Sequence, residues 1–405
     1  MLWASSISAA EQLPRAVEQA SDRLAQQLDD QRGGATCDLV LVFVTAEHRQ
    51  RWHELPAAIL DRFPKALVIG CSGAGVIGDG LELEQMPGLA LAGASLPGVE
   101  LTPFHLPAEK TPDPAEPSDD PTLERERWNH ALGLAEGPDP HLILLPDPFT
   151  WSGAELLDGL DRAYPKGVKI GGLSSGGSRP GEHRLFCERS AHHRGMVGVA
   201  LRGAIEIDTV IAQGCHPIGA PMFVTRHQEQ VIFDLDGRPA IEVLRRLFET
   251  LDVRDRDRAR HSLLLGVVMA PQREVYDRGD FLIRSVVGVD PQSGALATAT
   301  PLYKNAVVQF HLRDAATSSA DLEELLKAKA KQPPAAALMF SCLGRGQTLY
   351  SELNHDSRLV RAQLGADLPI AGFFGNGEIG PVTGRTHVHG YTSAMLLIRE
   401  PRLTQ

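Results

Sequence analysis

The chain has 405 residues, of which 43% are hydrophobic and 22% charged, and carries a formal net charge of -11. That composition supports a buried core and excludes a disordered chain, while the length exceeds what one core usually serves and implies about two domains. The acidic balance excludes a broad nucleic-acid face, which needs clustered basic groups to release counterions.

Residues 8 to 29 carry Val17, Ala20, Leu24 and Leu28 at helical spacing and predict a leading helix. DLVLVFVT (38 to 45) and ALVIGCS (66 to 72) read as strands with a helix near 52 to 63 between them, and GLALAGASL (88 to 96) and VELTPFHL (99 to 106) follow as further strands. PAEKTPDPAEPSDDPT, at 107 to 122, mixes prolines with acids and predicts an exposed flexible insertion. The order then returns: a helix near 122 to 136, the strand HLILLP (141 to 146), a helix near 152 to 163, and VKIGGLSSGG (168 to 177) and MVGVALRG (196 to 203).

The second half resumes with LLLGVVMA (263 to 270), FLIRSVVGVD (281 to 290) and AVVQFHLRD (306 to 314), then a helix near 318 to 330. AALMFSC (336 to 342), a helix near 355 to 364, PIAGFFGNGEIG (369 to 380) and YTSAMLLIRE (391 to 400) close it. RDRDRAR at 254 to 260 reads as a solvated charged loop. The expected fold class is α/β with mixed sheets, built from two related halves whose strand-helix-strand units end in glycine-rich turns. A boundary is expected near 235, giving domains 1–235 and 236–405.

GCSGAGVIG (70 to 78) contains the glycine spacing of a dinucleotide loop, and GNGEIG (375 to 380) repeats it. Such a loop works by opening a helix onto the pyrophosphate. Here both copies lead into strand-like sequence, so the glycines are expected to supply positive φ and close backbone approach where a strand turns sharply. Setting Gly70 on Gly372 matches Gly73 with Gly375, Gly75 with Gly377 and Gly78 with Gly380, which suggests an internal duplication.

Five cysteines, Cys37, Cys71, Cys187, Cys215 and Cys342, are scattered without a Cys-x-x-Cys pair and read as free thiols of a reducing compartment. The N-terminus lacks a signal-peptide pattern and no run of about 18 apolar residues occurs, so a cytoplasmic protein without membrane contact is expected.

IAQGCHPIG (211 to 219), FLIRSVVGVDPQSGAL (281 to 296), VQFHLRDA (308 to 315), FSCLGRG (340 to 346), NHD (354 to 356) and GFFGNGEIGPV (372 to 382) together resemble the FIST domain family. These are sensory domains with an N-terminal and a C-terminal part, found in bacterial signalling proteins and in a eukaryotic F-box protein. The resemblance implies a small-ligand sensor, with amino acids as the expected ligand class, and some members resemble haem-binding nitric-oxide sensors. No kinase, cyclase, methyl-accepting or F-box segment is attached, so a stand-alone sensor read by a separate signalling protein is expected.

Polar groups interrupting the C-terminal strands are the candidate ligand site. Gln309, His311 and Arg313 alternate onto one face of their strand, and Arg284 breaks an apolar run in which Asp290 or Asp314 is a possible partner. Cys342, Arg345, His355 and Asp356 cluster in sequence, with Asn354 placed to cap a helix and Arg345 to take an anion, while Asn376 and Glu378 sit in the second glycine run. Opposite charges in one cavity suit a zwitterion such as an amino acid. Two alternatives stand beside this: Cys342 as an enzyme nucleophile with His355 as its base, and a haem held by His216, His311 or His355. No cofactor is expected on the main reading.

Overall fold

The computed structural model describes residues 1–31, 36–113, 120–151, 153–273, 275–290 and 292–401. Positions 114–119 of the expected flexible insertion lie outside the described residues. Two compact units are present: unit 1 is Met1–Ile211, Glu323–Val388 and Thr392–Gln405, and unit 2 is Ala212–Leu322 with His389–Tyr391. The turn near residue 235 falls within unit 2.

Unit 1 begins with β1 (Leu2–Ser8), α1 (Leu13–Gln31), β2 (Leu39–Thr45), a 3-10 segment (Ala46–Glu54), α2 (Leu55–Arg62), β3 (Leu67–Gly73), the hairpin β4 (Gly75–Gly78) and β5 (Leu81–Glu84), and β6 (Leu89–Ser95). The same succession recurs as β7 (Val99–Leu106), α3 (Pro121–Leu132), β8 (His141–Pro146), α4 (Gly153–Ala163), β9 (Lys169–Gly172), the hairpin β10 (Leu185–Cys187) and β11 (Ser190–His192), and β12 (Met196–Gly203). A third begins at β13 (Glu206–Ala212). Unit 2 then intervenes in sequence with β14 (Cys215–Gln228), β15 (Val231–Leu235), β16 (Arg238–Pro239), α5 (Ala240–Thr250), α6 (Val253–Ser262), β17 (Leu263–Val268), β18 (Phe281–Asp290), β19 (Ala295–Thr298) and β20 (Val307–Arg313). The third succession resumes with α7 (Ala315–Lys329), β21 (Ala336–Cys342), the single turn α8 (Gln347–Tyr350), α9 (His355–Leu364), β22 (Ile370–Gly375), the hairpin β23 (Glu378–Val382) and β24 (Arg385–His389), and β25 (Ser393–Arg399).

The three sheets of unit 1 share one strand plan. Their orders are β1-β6-β2-β3-β10-β11, β7-β12-β8-β9-β23-β24 and β13-β25-β21-β22-β4-β5. Each holds one parallel pair, β2 with β3, β8 with β9 and β21 with β22. The hairpin after each pair crosses to another sheet: β4 joins β22, β10 joins β3 and β23 joins β9. Among the described residues the recurrence seen at 70–78 and 372–380 is thus part of a triplication, interlocked by exchanged hairpins.

Alternation explains the layers. In β2, Leu39, Leu41 and Phe43 join a core shared by all three sheets, while Val40, Val42 and Val44 pack under α1 and α2. Both faces are covered, so the strand is apolar throughout. Phe43 stacks on Phe373 at 5.2 Å and meets Phe340 edge-on at 6.5 Å, joining two sheets in the shared core.

Close approach requires the glycines. A Cβ on Gly70 would lie 1.8 Å from the Val42 carbonyl oxygen, one on Gly171 1.8 Å from that of Leu144, and one on Gly372 1.8 Å from that of Met339. In register these are the same position of each parallel pair. Four residues on, the strand ends close over one another: Ser175 N donates to Ser72 O at 3.1 Å and Asn376 N to Leu173 O at 3.1 Å. At the third place the Ser175 hydroxyl mediates, accepting from Ala74 N at 2.8 Å and donating to Phe374 O. Ser175→Ala is therefore expected to cost about 2–3 kcal/mol, because it strands two backbone groups that the hydroxyl bridges. Urea denaturation measures this, and a loss within error of zero would count against the bridge.

Unit 2 is a closed barrel in the order β14-β20-β17-β18-β19-β15, with β15 returning to pair with β14. Its interior carries Val224, Ile232, Leu265, Leu296, Val308 and Phe310. The charged run at 254–260 is helical, a correction to the expected loop. Asp252 caps α6 by accepting from Asp255 N at 2.8 Å, and Arg258 reaches Asp255 at 3.1 Å one turn away, so local pairing supports the helix.

The sequence reading also missed β1, because MLWASSIS is short and ran directly into helical periodicity. The exchanged hairpins were missed too.

Candidate functional site

Both glycine runs lead into strands, β4 and β23, and among the described residues no helix opens onto either. Within the two runs only Gly377 has a positive φ, at 158°, which corrects that part of the expectation; close approach is the general reason, since a Cβ on Gly75 would lie 2.8 Å from Leu83 O and one on Gly78 2.8 Å from Ser6 O.

Beside this junction stands a charged cluster built by β5, the turn after β21, and α8 and α9. Arg345 is fully buried, and its Nε and Nη2 donate to Asp356 Oδ2 and Oδ1 at 2.7 and 3.2 Å. Nη2 also donates to the Tyr350 hydroxyl at 2.6 Å. His355 Nδ1 lies 2.9 Å from Asp356 Oδ1, and its ring stacks on Tyr350 at 3.5 Å. Burial pushes the Asp356 carboxyl up, but Arg345 and the His355 hydrogen bond outweigh it and hold it well below the ordinary carboxylate range. Burial likewise opposes the Arg345 charge, and Asp356 then Tyr350 raise its pKa above its ordinary value. The guanidinium fork that the sequence offered to a ligand carboxylate is thus engaged by a carboxylate of the chain itself.

Asn354 does not cap α9 with its side chain, which corrects the expected cap. Its Oδ1 instead accepts from Glu82 N at 2.6 Å, and its backbone is left-handed at φ 58°. Glu378 is buried and accepts from Thr392 N at 3.1 Å, while Asn376 is exposed with Nδ2 donating to Ser174 O at 3.1 Å. Cys342 is part-buried at the end of β21, within electrostatic reach of Arg345.

The remaining expected residues belong to unit 2. β20 is paired on both sides, by β14 and β17, so it is no edge strand. Gln309 donates from Nε2 to Gly219 O at 2.7 Å. His311 is buried edge-on against Phe281 at 4.7 Å, and burial pulls its pKa down to about 4, leaving a neutral ring at pH 7. Gly266 makes room for it: a Cβ there would lie 2.4 Å from His311 Cε1. Arg313 lies over the Tyr391 ring at 5.1 Å.

Arg284 faces the other way. Register sets it against Leu265 and thence Phe310, whereas His311 aligns through Leu264 with Ser285. Arg284 and the Gln309-His311-Arg313 row therefore occupy opposite faces of one sheet and do not form a single wall. Burial lowers the Arg284 pKa. The acids considered as its partners hold other groups: Asp290 accepts from Gln292 N and Ser293, and Asp314 from Thr317. His216 lies 3.9 Å from Asp314. Among the described residues no group of three or more His, Cys, Asp or Glu side chains is placed to hold a metal ion.

Unit 1 also carries an open groove of about 780 Å³ over the junction of the glycine-rich strand ends. Its walls include Ala74, Gly176, Gly177, Gln85 and Leu343, with Arg49, Arg179, Glu47 and Glu182 as charged groups. Arg49 is held by donating to Ala46 O at 3.2 Å and Gly176 O at 3.1 Å. Glu182 Oε2 accepts from Ser178 N and Arg179 N at 2.8 and 3.2 Å, and these bonds hold its carboxyl below the ordinary range. Below the rim, His183 Nδ1 meets buried Asp147 at 3.0 Å and Nε2 meets Gly177 O at 3.3 Å, tying the glycine loop to the β8 end. Sequence reasoning missed this groove, since isolated surface arginines give no periodic signal. The Gly-Pro-rich run at 176–181 was the available hint.

The model of the FIST N domain matches residues 38–238 and that of the FIST C domain residues 240–381. An uncharacterized protein of Mycobacterium tuberculosis is 35% identical over 394 residues, covering 96% of this chain and 98% of its own. One from Mycobacterium bovis is 32% identical over 382 residues, covering 94% of this chain and 95% of its own. A solved cyanuric acid hydrolase from A. caulinodans covers 99% of both chains at 8% identity and a TM-score of 0.31, too low to carry any argument. No helix among the described residues is long and apolar enough to cross a membrane.

Proposed function

This chain belongs to the FIST family, whose domains are sensory domains of signal transduction, and on that premise we propose that it senses a small charged metabolite in the unit 1 groove. The observation that carries the reading is the groove's lining. Arg49, Arg179, Glu47 and Glu182 line it together with Gly176 and Gly177, so cations and acids share one groove. An amino acid fits that chemistry: an arginine grips the carboxylate and an acid holds the ammonium. A separate signalling protein then reads the occupied state.

A thermal-shift screen with amino acids and small carboxylates tests the proposal. Ligand at a hundred times its Kd is expected to stabilise the protein by about 2.7 kcal/mol. Arg179 is exposed, and its guanidinium makes no hydrogen bond or ion pair within the described chain. Arg179→Ala should therefore weaken any active compound about tenfold while leaving the unliganded melting temperature unchanged. A screen without a stabilising compound, or one whose response survives Arg179→Ala, would refute the groove as the ligand site.

A further inference from the structure

We propose that Glu82 is a proton-operated latch that fastens the exchanged β4–β5 hairpin to α9 and thereby sets the walls of the groove. The link to the groove rests on the functional reading above; the latch itself does not.

Glu82 is 4% exposed. Its Oε1 accepts from Ser357 N at 2.7 Å in the first turn of α9, and its own N donates to Asn354 Oδ1 at 2.6 Å. Ser357 Oγ donates to Gly80 O at 3.0 Å, and Glu84 Oε1 accepts from Gln347 N at 2.9 Å. These contacts dock a hairpin from the first repeat onto the third. The hairpin's next residue, Gln85, lines the groove, as does Leu343 in the turn leading to α8. Loosening the dock would move two groove walls together.

What makes the dock titratable is a mismatch inside it. Among the described residues, Glu82 Oε2 is buried without a hydrogen-bond partner. Asp356 from α9 and Glu84 on its own strand act on it directly, and the titratable groups of the dock among the described residues further include Arg345, His355 and Tyr350 around Asp356 and the Asp79–Arg361 pair at 2.8 Å by the hairpin turn. Arg345 is engaged with Asp356, so a second carboxylate charge here adds repulsion. Burial first, then the Asp356 charge, push Glu82 up to about 7 from an ordinary 4.5. Burial raises Glu84 as well.

The sign follows from linkage. A carboxyl whose pKa is higher in the closed state than in the open one binds its proton more tightly when closed. Opening therefore releases a proton between pH 4.5 and 7 and becomes easier as pH rises through that window, then levels off above it. Asp356, held low, titrates below this range and contributes in the opposite sense.

Hydrogen exchange of the Glu82, Gln347 and Ser357 amides, corrected for intrinsic rates, reads the latch directly. Protection is expected to fall about tenfold or more between pH 5.5 and 7.5, and Glu82→Gln should flatten the profile. A flat wild-type profile would overturn the latch, and so would a slope retained in Glu82→Gln. Should that variant not fold, the wild-type profile decides alone. An equimolar mixture of the twenty amino acids then tests the link to the groove. Its stabilisation should be larger at pH 5.5 than at 7.5 in wild type and equal at both in Glu82→Gln. A pH-dependent exchange profile with no stabilisation at either pH would sink the ligand reading and keep the latch.

Discussion

Gly372→Ala is expected to leave little or no folded protein. The added Cβ would stand 1.8 Å from the Met339 carbonyl oxygen, in the middle of the β21–β22 parallel pair. Ordinary contacts are about twice that distance, and the interior is too closely packed to yield by it. Both strands are buried on both faces, so relief requires a backbone shift through the three-sheet core. A loss beyond about 4–5 kcal/mol follows, comparable to the whole stability of many domains. Gly384→Ala is the control: its φ is +80° but no atom of the described residues lies within 4 Å of the added Cβ, so it should cost only about 1–2 kcal/mol of backbone strain. Soluble yield and thermal melts separate the two. A Gly372→Ala protein melting within a few degrees of wild type would refute the close-approach role.

Arg345→Ala is the second large effect, expected at about 3–5 kcal/mol, because it leaves the Asp356 carboxylate buried without its principal partner. The same variant removes the support for Tyr350, on which His355 stacks. A ligand-gripping arginine behaves differently, since its loss weakens a complex and leaves the empty protein as stable as before. The double variant Arg345→Met/Asp356→Leu should recover most of the stability, as replacing a whole buried ion pair with apolar groups usually costs little. Melting curves without any ligand decide between the roles. An unchanged melting temperature in Arg345→Ala would return this residue to the list of ligand contacts.

Much of the secondary structure was legible because local periodicity carries it. MVGVALRG, FLIRSVVGVD and the helix at 355–364 appear with the bounds read from sequence. The close-approach role of the glycines could be read as well, whereas the positive φ expected beside it is found only at Gly377 within the two runs. The middle copy of the repeat stayed hidden. Aligned on Gly70, Gly171 keeps a glycine five residues on, at Gly176, but has Ser174 where Gly73 stands, and an irregular loop precedes β10. The candidate site suffered most. Arg345 and Asp356 were both in view, yet the sequence does not state that an arginine's carboxylate is eleven residues away in its own chain.

The sequence by itself determined the mixed α/β class, the alternation that buries both strand faces, and the glycines at the strand ends, since each depends on neighbours within a few residues. Only the tertiary structure decided that three hairpins exchange between sheets, that Glu82 from the first repeat is docked on α9 of the third, and that Arg284 and His311 face opposite ways. Those outcomes are set by backbone pairing between segments up to hundreds of residues apart. Such pairing leaves no trace in local periodicity, because an N–H or C=O is the same group on every residue that bears it.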